Sequence, residues 1–128
     1  MPVVADREGV AMKVAEVPPV TEGLNEVRLL GHVSAPATVR ELPSGDEVVS
    51  LRLVVPRDKR RTPTGPTVDV IDVSCWSPSS RRSALGLAEG DRVEVQGALR
   101  RRFFRTGAGV QSRYDVEARG LKRVRART

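Results

Sequence analysis

This 128-residue sequence predicts an all-β domain, a small five-stranded barrel with one short helix between its third and fourth strands. Two observations carry that prediction. Apolar and polar residues alternate with period two in five separate segments, whereas a single segment carries helix start and stop signals. All four aromatic residues, Trp76, Phe103, Phe104 and Tyr114, lie in the second half, so the first 75 residues must build their core from Val and Leu, which suits tight, alternating strands.

Residues 1–24 show no sustained period and contain Pro18-Pro19, and they read as an N-terminal arm of flexible character outside the core. The domain proper spans 25–124, with a short basic tail at 125–128. In NEVRLLGHV, Val27, Leu29, Gly31 and Val33 share one face, and Glu26, Arg28, Leu30 and His32 the other. A turn at Leu42–Gly45 precedes EVVSLRLVV, where Val49, Leu51, Leu53 and Val55 alternate against Val48, Ser50, Arg52 and Val54, and Pro56 ends the strand. Residues 56–67, with three Pro, one Gly and four bases, form an exposed loop. In VDVIDVSCW, Ile71, Val73 and Cys75 point inward, and Val70, Asp72, Ser74 and Trp76 outward. Ser77 as N-cap and Pro78 as first residue open a short helix that Gly86 or Gly90 closes. From Asp91, Val93, Val95, Gly97 and Leu99 face one way, and Glu94, Gln96, Ala98, Arg100, Arg102 and Phe104 the other. RTGAG makes the turn, and VQSRYDVEA returns antiparallel. Five strands with a lone helix after the third describe the Greek-key barrel called the OB-fold.

The inventory argues against catalysis. One Cys and one His leave almost nothing for a zinc site or a nucleophile–base pair, and no metal or cofactor is expected. His32 sits in a strand, where it reads as a packing or interface residue. Asp69 and Asp72 point to opposite faces of theirs, and Asp115 and Glu117 read as solvated neighbours. Phosphate-loop, GxSxG and HExxH motifs are missing from this sequence, and RTGAG is hairpin chemistry. With no apolar run near the roughly 18 residues of a membrane span and no secretory signal at the N-terminus, a cytoplasmic protein is expected.

Charge points to a partner instead. Lys and Arg number 22 against 16 Asp and Glu, a net +6, and from Gly97 onward ten bases face only Asp115 and Glu117. A field this one-sided favours a polyanion. Arg100, Arg102 and Phe104 stand two apart on one outward face, each roughly 6 to 7 Å from the next by strand rise. Rings that stack on bases, interleaved with guanidinium groups that follow a phosphate backbone, suit unpaired nucleotides. Trp76 supplies a second platform, and Arg57, Lys59, Arg60 and Arg61 in the loop supply further cations. Tyr114 is a candidate of open register, whereas Phe103, on the core side, is expected to close the barrel end.

The order of these segments resembles the bacterial single-stranded DNA-binding proteins of the homo-oligomeric OB-fold type, over most of the chain from Asn25 to Val124. NEVRLLGHV is similar to the family's opening strand, with Asn25, Val27, Leu29 and Gly31 in place. Arg40 and Gly45 match its next turn, and Trp76 ends its VxxW pattern. GDRVEVQGALRRRFF is similar to its GxxVxVxGxLxxRxW, with Gly90, Val93, Val95, Gly97, Leu99, Arg102 and Phe104 in register. The resemblance implies a non-catalytic, largely sequence-independent binder of single-stranded DNA in replication, repair or recombination. It also implies a homo-oligomer, dimer or tetramer, for which Leu30 and His32 on the outer face of the first strand offer an interface. Val70 stands where the family often has an aromatic, and Lys59–Arg61 where some members use Trp, so this chain is expected to stack fewer bases and to rely more on charge. The family's long linker and acidic, Phe-ended tip, which recruit replication and repair enzymes, do not follow the basic ArgAlaArgThr end, so the expectation is either a short member that binds DNA without recruiting partners or a piece of a longer protein. The alternative on the same fold is an assembly or RNA-binding module, of a primosome-like or ribosome-associated kind.

Overall fold

The computed structural model describes residues 3–5, 11–13, 22–60 and 64–125. Strand β3 (Val27–Val33) pairs antiparallel with β7 (Arg92–Thr106), which pairs with β8 (Gly109–Arg123). β8 runs parallel to β6 (Val68–Cys75), β6 antiparallel to β5 (Glu47–Pro56), and β5 antiparallel to β4 (Thr38–Glu41). His32 and Val33 of β3 meet Val54 and Leu53 of β5, which closes the five long strands into a barrel. The helix α1 (Pro78–Leu85) falls between the third and fourth barrel strands, as an OB-fold requires.

The predicted inward faces form the core. Val33, Val49, Leu51, Leu53, Val73, Cys75, Val93, Val95, Val116 and Ala118 are buried together, with Val27, Leu29, Val55 and Ile71 packed around them. Burial pushes the Cys75 thiol up to about 11. The helix adds Ala84, and Leu87 follows just beyond it. It starts where Ser77 Oγ accepts the Ser80 backbone N–H at 3.2 Å, with Pro78 in its first turn, and of the two candidate stops Gly86 is the one that ends it.

Two glycines mark close approaches of backbone. A Cβ on Gly31 would run into the Val54 carbonyl oxygen, and one on Gly97 into that of Glu117. At Gly97 the β7–β8 register also slips, because Gln96 pairs with Gly120 while Gly97 pairs with Ala118. Arg119 is the extra residue, a β-bulge that sharpens the twist where the sheet curls into the barrel.

Several boundaries differ from the sequence expectation. β4 is a fully exposed edge strand, TVRE, too short and polar to show alternation. β8 runs on to Arg123, beyond the expected VQSRYDVEA segment, so GLKR is also strand, held by pairing with Val93–Gln96. In the arm, β1 (Val3–Ala5) and β2 (Ala11–Lys13) pair with each other as a separate two-stranded sheet, and the remainder of 1–21 lies outside the described residues. The tail beyond Arg125 does so too.

The extension that matters most is the β7–β8 hairpin. β7 pairs with β3 only from Arg92 to Gly97, and β8 with β6 only at Val116 and Glu117. Residues 100–115 therefore form a two-stranded ribbon that projects past the barrel, with the Asn25 side chain holding its root through both the N–H and the carbonyl of Leu99.

Candidate nucleic-acid interface

Period-two alternation sends alternate residues of the ribbon to opposite faces. On the outer face Arg100 stands opposite Asp115, Arg102 opposite Arg113 and Phe104 opposite Gln111. The outer face continues across β6 through Ser74 and Asp72, across β5 through Arg52 and Ser50, and across β4 through Arg40 and Thr38. The twist of these strands hollows a groove of about 410 Å³, lined by Arg40, Arg52, Arg102 and Arg113, by Asp72 and Asp115, and by Trp76 at the end of β6.

Trp76 and Arg102 form one unit at its centre. The Arg102 guanidinium lies 4.9 Å from the Trp76 ring centroid and donates to Asp115 at 3.0 Å, to Ser74 Oγ at 3.3 Å and to Glu117 at 3.5 Å. Trp76 Nε1 donates to the same Ser74 hydroxyl at 3.2 Å. The half-buried indole thus has one polar edge anchored and one face covered by cation. Arg100 pairs with Glu117 at 3.2 Å and Arg52 with Asp72 at 3.4 Å. Arg113 lies over the Phe104 ring at 5.2 Å, and neither it nor Arg40 has an acidic partner among the described residues.

Of the sequence-stated candidates, Trp76, Arg100, Arg102 and Phe104 do share the outer face. The loop bases are only partly gathered. Arg57 is held at the loop root by Asp69 at 2.7 Å, which raises its pKa, and its N–H bonds the Thr67 carbonyl. Lys59 and Arg60 are exposed beyond it, and Arg61 lies outside the described residues. Tyr114 pairs with Arg101 and so faces the opposite side of the ribbon. There it joins Phe103, which does not close the barrel end: the ribbon has left the barrel by that point, and Phe103 is 65% exposed. Leu30 is exposed and His32 half-buried on the outer face of β3, opposite Glu94 and Arg92 of β7. Beside them Arg28 grips Glu94 at 3.1 Å, and its hydrogen bond and charge hold that carboxyl below the usual range.

Arg40, Arg52, Asp72, Ser74, Arg113 and Asp115 are groove residues that sequence reasoning did not assign to a site. A signal existed for three of them, since Arg52, Asp72 and Ser74 occupy the outward phase of their strands. What linear order does not contain is that these phases converge with those of β4 and the ribbon.

An OB barrel with a cationic, ring-bearing groove on its outer wall and a projecting strand ribbon beside it defines a class of small binding barrels. Within that class the chain belongs to the single-strand binding protein family, whose model matches residues 24–124. A solved structure described as a Plasmodium falciparum SSB complex with ssDNA superposes with a TM-score of 0.64 at 22% identity, covering 81% of this chain and 97% of that one. That likeness is one of fold. Among the described residues no helix is long and apolar enough to cross a membrane.

Proposed function

We propose that the protein is a non-catalytic, largely sequence-independent binder of single-stranded DNA, covering unpaired strands during replication, repair or recombination in the cytoplasm. The observation that carries this reading is the clustering of Trp76, Arg102 and Arg113 along one groove, with Phe104 stacked against Arg113 on the same face of the ribbon, in a chain of the single-strand binding protein family. Two ring–guanidinium stacks present planar surfaces to bases, and stacking is tolerant of sequence because every base has a π-face. Arg40 and Arg113 meet phosphates first, since neither must leave an acid to do so. Arg100 and Arg102 are held in place by Glu117 and Asp115, which orients their guanidinium planes but sets carboxylates in competition with phosphate. Lys59 and Arg60 extend the cationic track along the loop, whose root Arg57 fixes, and Arg61 is the next base in the sequence. Self-association through the β3 face that carries Leu30 and His32 joins several such grooves in one oligomer.

The test is fluorescence anisotropy with labelled oligo-dT, the same sequence as duplex, and a matched RNA, at moderate salt. Oligo-dT binding well ahead of the duplex is the expected result. Equal or stronger binding of duplex, or a clear preference for RNA, refutes the reading. Light scattering at micromolar concentration tests the oligomer, and a monomer there refutes it.

A further inference from the structure

The opposite face of the ribbon carries chemistry that the groove does not use. Leu99, Arg101, Phe103 and Arg105 of β7 share it with Val110 and Tyr114 of β8. Phe103 is 65% exposed, Tyr114 58% and Val110 65%, so the face is open. The Arg101 guanidinium sits between two rings, 5.0 Å from the Phe103 centroid and 5.6 Å from that of Tyr114, and among the described residues its donors meet only the neutral Ser112 hydroxyl, at 3.2 and 3.3 Å. Both acids of the ribbon region, Asp115 and Glu117, project from the other face, where they pair with Arg100 and Arg102. The two faces of the ribbon therefore differ: on the groove side Arg100 and Arg102 are held by acids and Arg113 is not, whereas this side carries Arg101 and Arg105 beside two exposed rings with no acid paired to either among the described residues.

We propose that this second face is a separate contact site for single-stranded DNA, which takes a base against Phe103 or Tyr114 and a phosphate at Arg101 or Arg105, on a strand that leaves the groove at Phe104 and passes round the ribbon edge. The inference rests on the reading of the groove given above. Its occupant follows from charge. A second copy docked on this face about a twofold axis sets Arg101 and Arg105 against the same two arginines, with no acid on the face to meet them, whereas a polyanion satisfies both. Geometry agrees. Beyond Gly97, β7 has no further strand on its outer edge among the described residues, so a chain crosses a single strand to pass from Phe104 to its neighbour Phe103 on the reverse side.

Oligo-dT of increasing length, spanning roughly 4 to 16 nucleotides per barrel and beyond, separates the two sites. For Phe103→Ala/Tyr114→Ala and for Arg101→Gln, affinity for the shortest oligomer that binds should stay at the wild-type value. Affinity for longer ones should fall at least about 5-fold, the equivalent of roughly 1 kcal/mol for a lost base stack. These residues are exposed, and unchanged thermal unfolding confirms that the variants are folded. Equal losses at every length, no loss at any length, or a changed sedimentation coefficient without a length-dependent loss each overturn the proposal, the last by showing a second copy on this face. If wild-type protein binds no oligo-dT, or if Phe104→Ala leaves short oligomers unaffected, the groove reading itself has failed.

Discussion

Asp115→Asn should tighten binding to single-stranded DNA, although it deletes an ion pair. The Asp115 side chain is 12% exposed and receives Arg102 Nε at 3.0 Å, so the cation nearest Trp76 is already claimed in the free protein. A phosphate that reaches Arg102 must share it with this carboxylate. Two unit charges on opposite sides of one guanidinium, on the order of 7 Å apart, repel by about 0.6 kcal/mol in bulk water and about 2.4 kcal/mol at the effective dielectric near 20 of a protein surface. Removing that repulsion should raise affinity roughly 3- to 60-fold at low salt. The salt dependence should change as well. Each phosphate neutralised on a single strand contributes a slope of about −0.7 in log affinity against log salt, so release of Arg102 should steepen the slope by up to about 0.7. Glu117, at 3.5 Å, retains part of its hold. Asparagine keeps the shape and one acceptor, so the fold should survive with a loss of about 1 to 3 kcal/mol. Anisotropy titrations of oligo-dT between roughly 50 and 200 mM salt read both quantities. Binding that is unchanged or weaker, with an unchanged slope in a folded variant, refutes the argument that the groove carboxylates compete with phosphate.

Further outcomes follow from the same geometry. Phe104→Ala should weaken oligo-dT binding by about 1 to 3 kcal/mol in the same titration, and indole emission from Trp76, the single tryptophan, should fall on binding. Saturating DNA that leaves the emission unchanged removes Trp76 from the interface. Gly97→Ala should destabilise the fold by about 1 to 3 kcal/mol in urea unfolding, because the new Cβ meets the Glu117 carbonyl in the bulged β7–β8 pairing. The Cys75 thiol, raised by burial to about 11 from an ordinary 9.0, should resist alkylation near pH 8 in the native protein and react quickly in urea. With the folded value above the unfolded one, its contribution to stability is complete below about pH 9 and is lost as pH climbs toward 11, which urea midpoints across that range will read.

Much of the barrel is legible in the chain because strand faces are a local property. Val49, Leu51 and Leu53 lie two apart, as do Val93 and Val95, and each set is buried as that spacing dictates. The helix cap at Ser77-Pro78 is equally local and appears as the sequence predicts. Where a feature lacks local contrast, the reading stops short. β4 has four exposed residues and no apolar stripe, and the last turn of β8 alternates poorly because the bulge at Arg119 breaks its phase. Phe103 continues the inward phase of Val93, Val95 and Gly97, which on sequence alone points it at the barrel end; that phase holds, but the barrel ends before the residue does.

The site divides along the same line. Sequence alone determined which face of β6 and β7 carries Trp76, Arg100, Arg102 and Phe104, since period two leaves a residue only two directions to point. Tertiary structure decided that Arg102 lies on Trp76, that Asp115 and Glu117 hold Arg100 and Arg102, and that Arg101 stands between Phe103 and Tyr114 with no acid paired to it among the described residues. Those relations depend on the register between strands far apart in the chain and on where closure of the barrel leaves the β7–β8 ribbon unsupported. Register is set by hydrogen bonding and packing across the whole sheet, and no window of neighbouring residues contains it.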